Sequence, residues 1–352
     1  MSPAPLPIFD GHNDTLLRLY RKGLPVSAFF EHGEEGHVDL PRARAGGFAG
    51  GLFACFVPSD SPDDDLPAPA AGGYQMPFPR TPSRERALAV VNALAARLER
   101  VARASGGEVV TCRNAAEIRA GMARGQLTAV LHIEGAEAID AEFEALEVLH
   151  AAGLRSLGPV WSRPNIFGHG VPFRFPSSPD TGPGLTDAGK ALVRACNELK
   201  IMVDRSHLNE AGFWDVAALS DAPLVATHSN AHALCPCSRN LTDRQLDAIR
   251  DSGGVVGLNL AVSFLRADGR NDADTALETL CDHVEYLAGK LGAEGVAMGS
   301  DFDGCTVPAP IRDAAGLPKL IEALRARGWD EAALAGFAHG NWLRVLERTW
   351  GG

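Results

Sequence analysis

Five short segments of this 352-residue chain carry side chains that bind first-row metals or move protons, and each closes an apolar run. They are Asp10-Gly11-His12-Asn13-Asp14, Leu131-His132-Ile133-Glu134-Gly135, Val203-Asp204-Arg205-Ser206-His207, Ala226-Thr227-His228-Ser229 and Met298-Gly299-Ser300-Asp301-Phe302-Asp303-Gly304. His12 and Asp14 are two apart, so in an extended segment both point to one side and can share a cation. His207 and His228 end successive runs and can hold a second ion. Glu134 has two oxygens and lies in sequence between the two pairs, which makes it the natural bridge. Imidazole and carboxylate without thiolate favour zinc or a similar first-row metal over calcium or magnesium. Two cations sharing a water make it acidic enough to attack at neutral pH, which is hydrolytic chemistry.

Each residue has a plainer reading too. A histidine at a strand end is more often a hydrogen-bonded buried residue than a ligand. Asp14 suits a helix cap, Glu134 suits the first turn of a helix, and Asp301 suits a pair with an arginine. Five coincidences on one face weigh against accepting every one of these.

Those side chains need a scaffold that gathers strand ends. Apolar runs at 6–9, 51–57, 128–133, 154–160, 201–203, 224–227, 255–260 and 296–298 alternate with helix candidates at 82–104, 142–152, 186–199, 209–219, 242–251, 275–291, 314–327 and 330–348. Pro82 suits a first helical turn, Thr186 and Thr242 suit N-caps, and Gly153 suits a stop. Eight strands separated by helices predict an α/β fold with a parallel sheet. At this length a (β/α)8 TIM-type barrel accounts for all eight within one domain, 1–352. A doubly wound open sheet competes, but no G-x-G-x-x-G follows a strand to support its nucleotide-binding form. Segments 58–83 and 163–184, rich in Pro and Gly, follow the second and fourth strands. In a barrel both overhang the C-terminal mouth, where they read as active-site loops.

Composition excludes several classes. A 45% hydrophobic and 22% charged chain is that of an ordinary soluble protein. A net charge of -11 argues against nucleic acid and against anionic membranes as partners. Residues 1–10 lack a basic region and a long apolar core, no run approaches the roughly 20 apolar residues of a membrane span, and the last residues lack an apolar tail. The expectation is a cytoplasmic protein without a membrane anchor. Seven cysteines at irregular spacing read as reduced thiols. Cys235 and Cys237 are a poor match to structural-zinc spacing and are expected to be buried thiols. No G-x-S-x-G surrounds Ser206, Ser229 or Ser300, so a serine nucleophile is disfavoured.

In this order, Asp10-Gly11-His12-Asn13-Asp14, His132-Ile133-Glu134-Gly135, the stretch 228–241 with Ser238-Arg239-Asn240, and Gly299-Ser300-Asp301-Phe302-Asp303-Gly304 resemble the membrane dipeptidase (renal dipeptidase) family of the amidohydrolase superfamily. The resemblance runs from about residue 9 to about residue 346. It implies two zinc ions per chain, bridged by Glu134 and a water or hydroxide, with His12 and Asp14 on one ion and His207 and His228 on the other. It implies that Asp301 is the catalytic aspartate and that Arg239 binds the C-terminal carboxylate of a dipeptide substrate, although an arginine there equally suits an exposed helix start. Such an anchor restricts cleavage to the bond one residue from the C-terminus, with acceptance of a D-residue at that position set by the two long loops. The resemblance extends to a homodimer, for which no stripe in the sequence marks an interface.

The chain departs from the family at one place. Trp161 follows the fourth run where the membrane enzymes carry a substrate-contacting histidine, and indole donates a hydrogen bond but carries no proton. Trp161 is therefore expected at the substrate, with His169 a candidate to substitute for the missing histidine. The competing functions are another binuclear amidohydrolase acting on N-acyl amino acids or lactones, and an inactive metal- or peptide-binding homologue.

Overall fold

A computed structural model describes residues 5–59 and 73–351. Eight parallel strands organise it: β1 Ile8–Asn13, β2 Phe48–Phe56, β3 Leu127–Glu134, β4 Leu154–Gly158, β5 Met202–Val203, β6 Val225–Ala226, β7 Val255–Leu258 and β8 Val296–Met298. Strands β1 to β5 pair in chain order, as do β6 to β8. Isolated parallel bridges link the two groups, Asp204 with Val225 on one side and Asn13 with Phe302 on the other. The sheet is thereby curled and TIM-barrel-like, with its strands following one another in sequence order.

Both faces of these strands are covered, so they read as continuous apolar runs rather than alternating ones. Every residue of β3 is buried, including His132 and Glu134. Phe9, Leu52, Val130, Met202, Val225, Val255 and Ala297, one from each of seven strands, form a single buried cluster with Trp342 and Leu346 of the last helix. β5 and β6 are shorter than the runs 201–203 and 224–227 suggested. Asp204 accounts for this: its carboxylate accepts from the backbone N–H of Ser206 (2.9 Å) and of Thr227 (2.8 Å), taking the place of ladder bonds.

The helix limits follow from capping. Thr186 and Asn209 accept from the N–H groups of Gly189 and Gly212, and Thr242 forms a capping box with Gln245. Gly153 ends its helix at φ 119. Pro82 lies outside the helix Arg84–Ala104, because Ser83 takes the cap by accepting from Arg86. The helix expected over 330–348 runs unbroken as Glu331–Ala335, a π turn Gly336–Gly340 and Asn341–Trp350, with right-handed helical backbone at each junction. Beyond that turn Asn341 donates to the carbonyls of Ala293 and Val296, and the Trp342 indole to that of Met298 (2.7 Å), which ties the helix to β8.

Three short helices, Thr15–Arg21, Leu40–Gly46 and Ala115–Ala123, and a strand Val109–Thr111 beside β3 complete the frame. The two long segments meet: Tyr74–Gln75 pairs antiparallel with Arg174–Phe175. Residues 60–72 of the first segment lie outside the described residues.

Candidate metal centre

The C-terminal ends of β1, β3, β5, β6 and β8 bring His12, Asp14, Glu134, His207, His228 and Asp301 into one cluster, in which all but the half-buried Asp301 are buried. Glu134 Oε1 lies 2.9 Å from His207 Nε2, 3.3 Å from His228 Nε2 and 3.7 Å from His12 Nε2. His12 Nε2 is 3.5 Å from Asp14 Oδ2, and the Nε2 atoms of His207 and His228 are 3.1 Å apart. Three sets offer ligand atoms within 4.8 Å of one another: His12, Asp14 and Glu134; Glu134, His207 and His228; His12, His228 and Asp301. Glu134 belongs to both of the first two, the position a bridge must occupy.

The plainer readings fit this geometry poorly. Asp14 occupies the N-cap of Thr15–Arg21, yet its side chain caps nothing and one of its oxygens has no partner. After Glu134 comes Gly135 at φ 83, and no helix begins until Glu144. Asp301 accepts at 2.9 Å from the Asn259 amide rather than from an arginine. His207 and Asp301 both have left-handed backbone, φ 69 and φ 58. Such conformations cost of order 1–3 kcal/mol each in a non-glycine residue and gather at functional sites.

Hydrogen bonds behind the histidines orient their rings. Ser162 Oγ is 2.8 Å from Nδ1 of His207. Thr227 Oγ1 is 2.8 Å from Nδ1 of His228 and 2.6 Å from Asp204 Oδ2. A carboxylate only accepts, so the single hydroxyl hydrogen of Thr227 goes to Asp204. His228 must then donate from Nδ1, which leaves the Nε2 lone pair facing the cluster. His132, also buried, rests its Nδ1 2.8 Å from Ser156 Oγ and faces Asp204 at 3.9 Å, behind the cluster.

The electrostatics are those of a site made for cations. Burial pushes the Glu134 carboxyl up to about 8, although His12 opposes it. Burial, reinforced by Arg239 and by neighbouring imidazoles, holds His207 and His228 well below the usual histidine range. His12 goes the other way, to about 10: burial lowers it, but Glu134, Asp14 and Asp301 outweigh that. Both ring nitrogens of His12 are buried without a hydrogen-bond partner. Buried carboxylates and unpartnered imidazole nitrogens are costly unless something positive sits among them, so these residues fit a metal.

Beside the cluster opens a cavity of about 430 Å³, a size suited to a small molecule. Asp14, Glu134, His207 and Asp301 form its polar side, and Phe56, Trp161, Phe173 and Phe264 its aromatic wall. Trp161 packs between Phe56 and Phe173, with ring centroids 4.8 and 5.5 Å away, and lies 5.9 Å from His207. His169 does not line this cavity; its Nδ1 is 3.3 Å from the Gly184 carbonyl. Arg239 is buried, not an exposed helix-start charge. Its two terminal nitrogens donate to Ser229 Oγ and the His228 carbonyl, both at 2.8 Å, and its Nε has no partner. Cys235 and Cys237 are free, buried thiols outside the ligand sets found among the described residues.

Asn259, Ser162, Thr227 and Asp204 were not singled out from the sequence. Asn259 left a usable signal, a lone amide inside the apolar run 255–260, directly after the last residue of β7. The others are ordinary polar residues whose partners lie on other strands.

A profile of the membrane dipeptidase family (peptidase family M19) matches residues 4–350. An uncharacterized protein in the pqqA 5' region of Klebsiella pneumoniae is 54% identical over 246 residues, 70% of this chain and 91% of that protein. A metallo peptidase from Rhodobacter sphaeroides, solved with a phosphinate mimic of the dipeptide L-Ala-D-Ala, superposes with a TM-score of 0.95 at 53% identity, covering 98% of this chain and 100% of the other. A second solved structure, dipeptidase AC, a metallo peptidase of family M19, gives 0.93 at 54% identity over 99% of both chains. No helix among the described residues is long and apolar enough to cross a membrane.

Proposed function

The chain belongs to the membrane dipeptidase family and is a metallo-dipeptidase; we propose that it holds two zinc ions and hydrolyses dipeptides, accepting a D-residue at the C-terminal position. The observation that carries the reading is the sharing of Glu134 between two ligand sets, one with His12 and Asp14, the other with His207 and His228. All-imidazole and carboxylate donors suit zinc. When bound, such a metal pair lowers the pKa of water toward neutrality and polarises the scissile carbonyl.

The chain's own residues supply the rest. Asp301, on the cavity and steadied by Asn259, takes the proton of the attacking water and returns it to the leaving amine. Arg239 provides positive charge for the substrate's terminal carboxylate through the N–H groups that Ser229 and His228 leave free. Trp161 and its aromatic neighbours flank the substrate and keep water from it. A cavity of about 430 Å³ suits a substrate of dipeptide size. The Rhodobacter protein holds a mimic of L-Ala-D-Ala, which is the support for D-residue acceptance here.

Metal analysis of the purified protein, combined with a stereochemically varied dipeptide panel, tests this. About two zinc ions per chain and turnover of L,D as well as L,L dipeptides are expected. Turnover confined to N-acyl amino acids or lactones, or tight dipeptide binding without product in the metal-loaded protein, overturns it.

A further inference from the structure

The turn that carries Asp301 is held by a pair of residues the hydrolysis itself does not use. Asp301 and Asp303 both have left-handed backbone, φ 58 and φ 67. The N–H of Asp303 donates to Nδ1 of His37 at 2.8 Å, and the N–H of His37 donates back to Asp303 Oδ1 at 2.7 Å. The second oxygen, Oδ2, accepts from Arg18 Nε at 3.0 Å. His37 and Asp303 are 266 residues apart, so the contact belongs to the tertiary structure and not to the turn.

The surroundings are built to keep this pair in place. Arg18 also donates to the Val38 carbonyl at 2.6 Å, and the His37 carbonyl accepts from Ala314 at 3.0 Å. The His37 ring lies 5.5 Å from that of Phe302, the residue between the two left-handed ones. Gly36, at φ 90, lets the chain pass over Arg18: a Cβ there would fall 2.5 Å from the guanidinium. On the inner side Gly304 closes against the site, since its Cβ would meet Asp14 Oδ2 at 2.2 Å and Asp301 Oδ1 at 2.6 Å.

We propose that His37 and Asp303 form a reciprocal latch that holds Asp301 in its working orientation, so that both are positioning residues for the hydrolysis. This rests on the reading of Asp301 as the catalytic carboxylate. Because Asp303 faces the cavity, the competing role is direct binding of the substrate's ammonium group. Both of its oxygens are already engaged by Arg18 and His37, which favours the latch.

The test is a double-mutant cycle in the metal-loaded enzyme with His37→Leu and Asp301→Asn. His37→Leu is expected to lower kcat about tenfold with KM within about twofold and metal content unchanged, but to cost less than about twofold in the Asp301→Asn background. His37→Asn, whose side-chain oxygen can accept where Nδ1 does, is expected to restore most of kcat, and His37→Gln is not. That pair decides the matter if His37→Leu fails to fold. Additive losses, a rise in KM alone, loss of metal, or His37→Asn no better than His37→Gln each overturn the latch. An Asp301→Asn enzyme as active as the parent overturns instead the catalytic reading of Asp301, so the two failures are distinct.

Discussion

Thr227 gives its hydroxyl hydrogen to Asp204 across 2.6 Å, and that one bond decides which nitrogen His228 presents to the cluster. Remove the hydroxyl and His228 Nδ1 is left buried with no acceptor, free to take the other tautomer. Partners of this kind behind a metal-binding imidazole are typically worth 10- to 100-fold in affinity. Thr227→Val is therefore expected to weaken metal binding by about tenfold or more, measured by chelator competition, and Thr227→Ser to stay near the parent. Equal affinities for Val and Ser would show that Asp204 does not act through the hydroxyl.

Asp301 stands in one ligand set with His12 and His228 and also faces the cavity. The two roles give different outcomes on substitution. As a proton carrier, Asp301→Asn is expected to lower kcat by about 10²- to 10⁴-fold with metal content unchanged. Metal loss in step with activity would make it chiefly a ligand.

Arg239 is buried, with its guanidinium over the Phe264 ring at 5.9 Å. Its removal is expected to raise KM chiefly for dipeptides with a free terminal carboxylate, by about 1.5–3 kcal/mol of lost charge-assisted bonding. Kinetics of Arg239→Leu on paired free-acid and amidated substrates give the answer. An equal loss on both would leave Arg239 as support for Ser229 and the His228 carbonyl.

The cluster was legible in the sequence because each of its side chains follows an apolar run, and strand ends of a parallel sheet share one face. The strands were legible for the same reason, down to β8, whose limits match. The last helix was legible too, but not the π turn inside it. Its apolar pattern runs through Gly336 and Gly340, and only the contacts of Asn341 and Trp342 with β8 give the intervening π turn a purpose. Asn259 and the His37–Asp303 pair were missed because their meaning lies in partners 42 and 266 residues away. Trp161 was expected at the substrate only through the family resemblance, at the place of a histidine, and the structure sets it on the cavity wall beside His207.

His283 gives a pH prediction that is independent of the metal ligands. It is 1% exposed, its Nε2 donates to the Leu265 carbonyl at 2.9 Å, and its Nδ1 accepts from the Ala231 N–H at 3.3 Å. A protonated ring would lose that acceptor. Burial accordingly pulls its pKa down to about 4, with the Leu265 carbonyl and Asp282 opposing. The unfolded chain binds a proton near pH 6.5 while the folded chain does not. Between those values the unfolded state holds more protons, so stability is full above about 6.5 and falls as the pH drops toward 4. Between pH 7.5 and 5 this one group should cost about 2 kcal/mol. Urea unfolding of the parent and of His283→Asn at equal metal loading measures it: the parent's stability should fall by that much more than the variant's, because the amide keeps the acceptor without titrating. Parallel pH profiles would mean that His283 is protonated in the folded protein, and that the Ala231 N–H has found another partner.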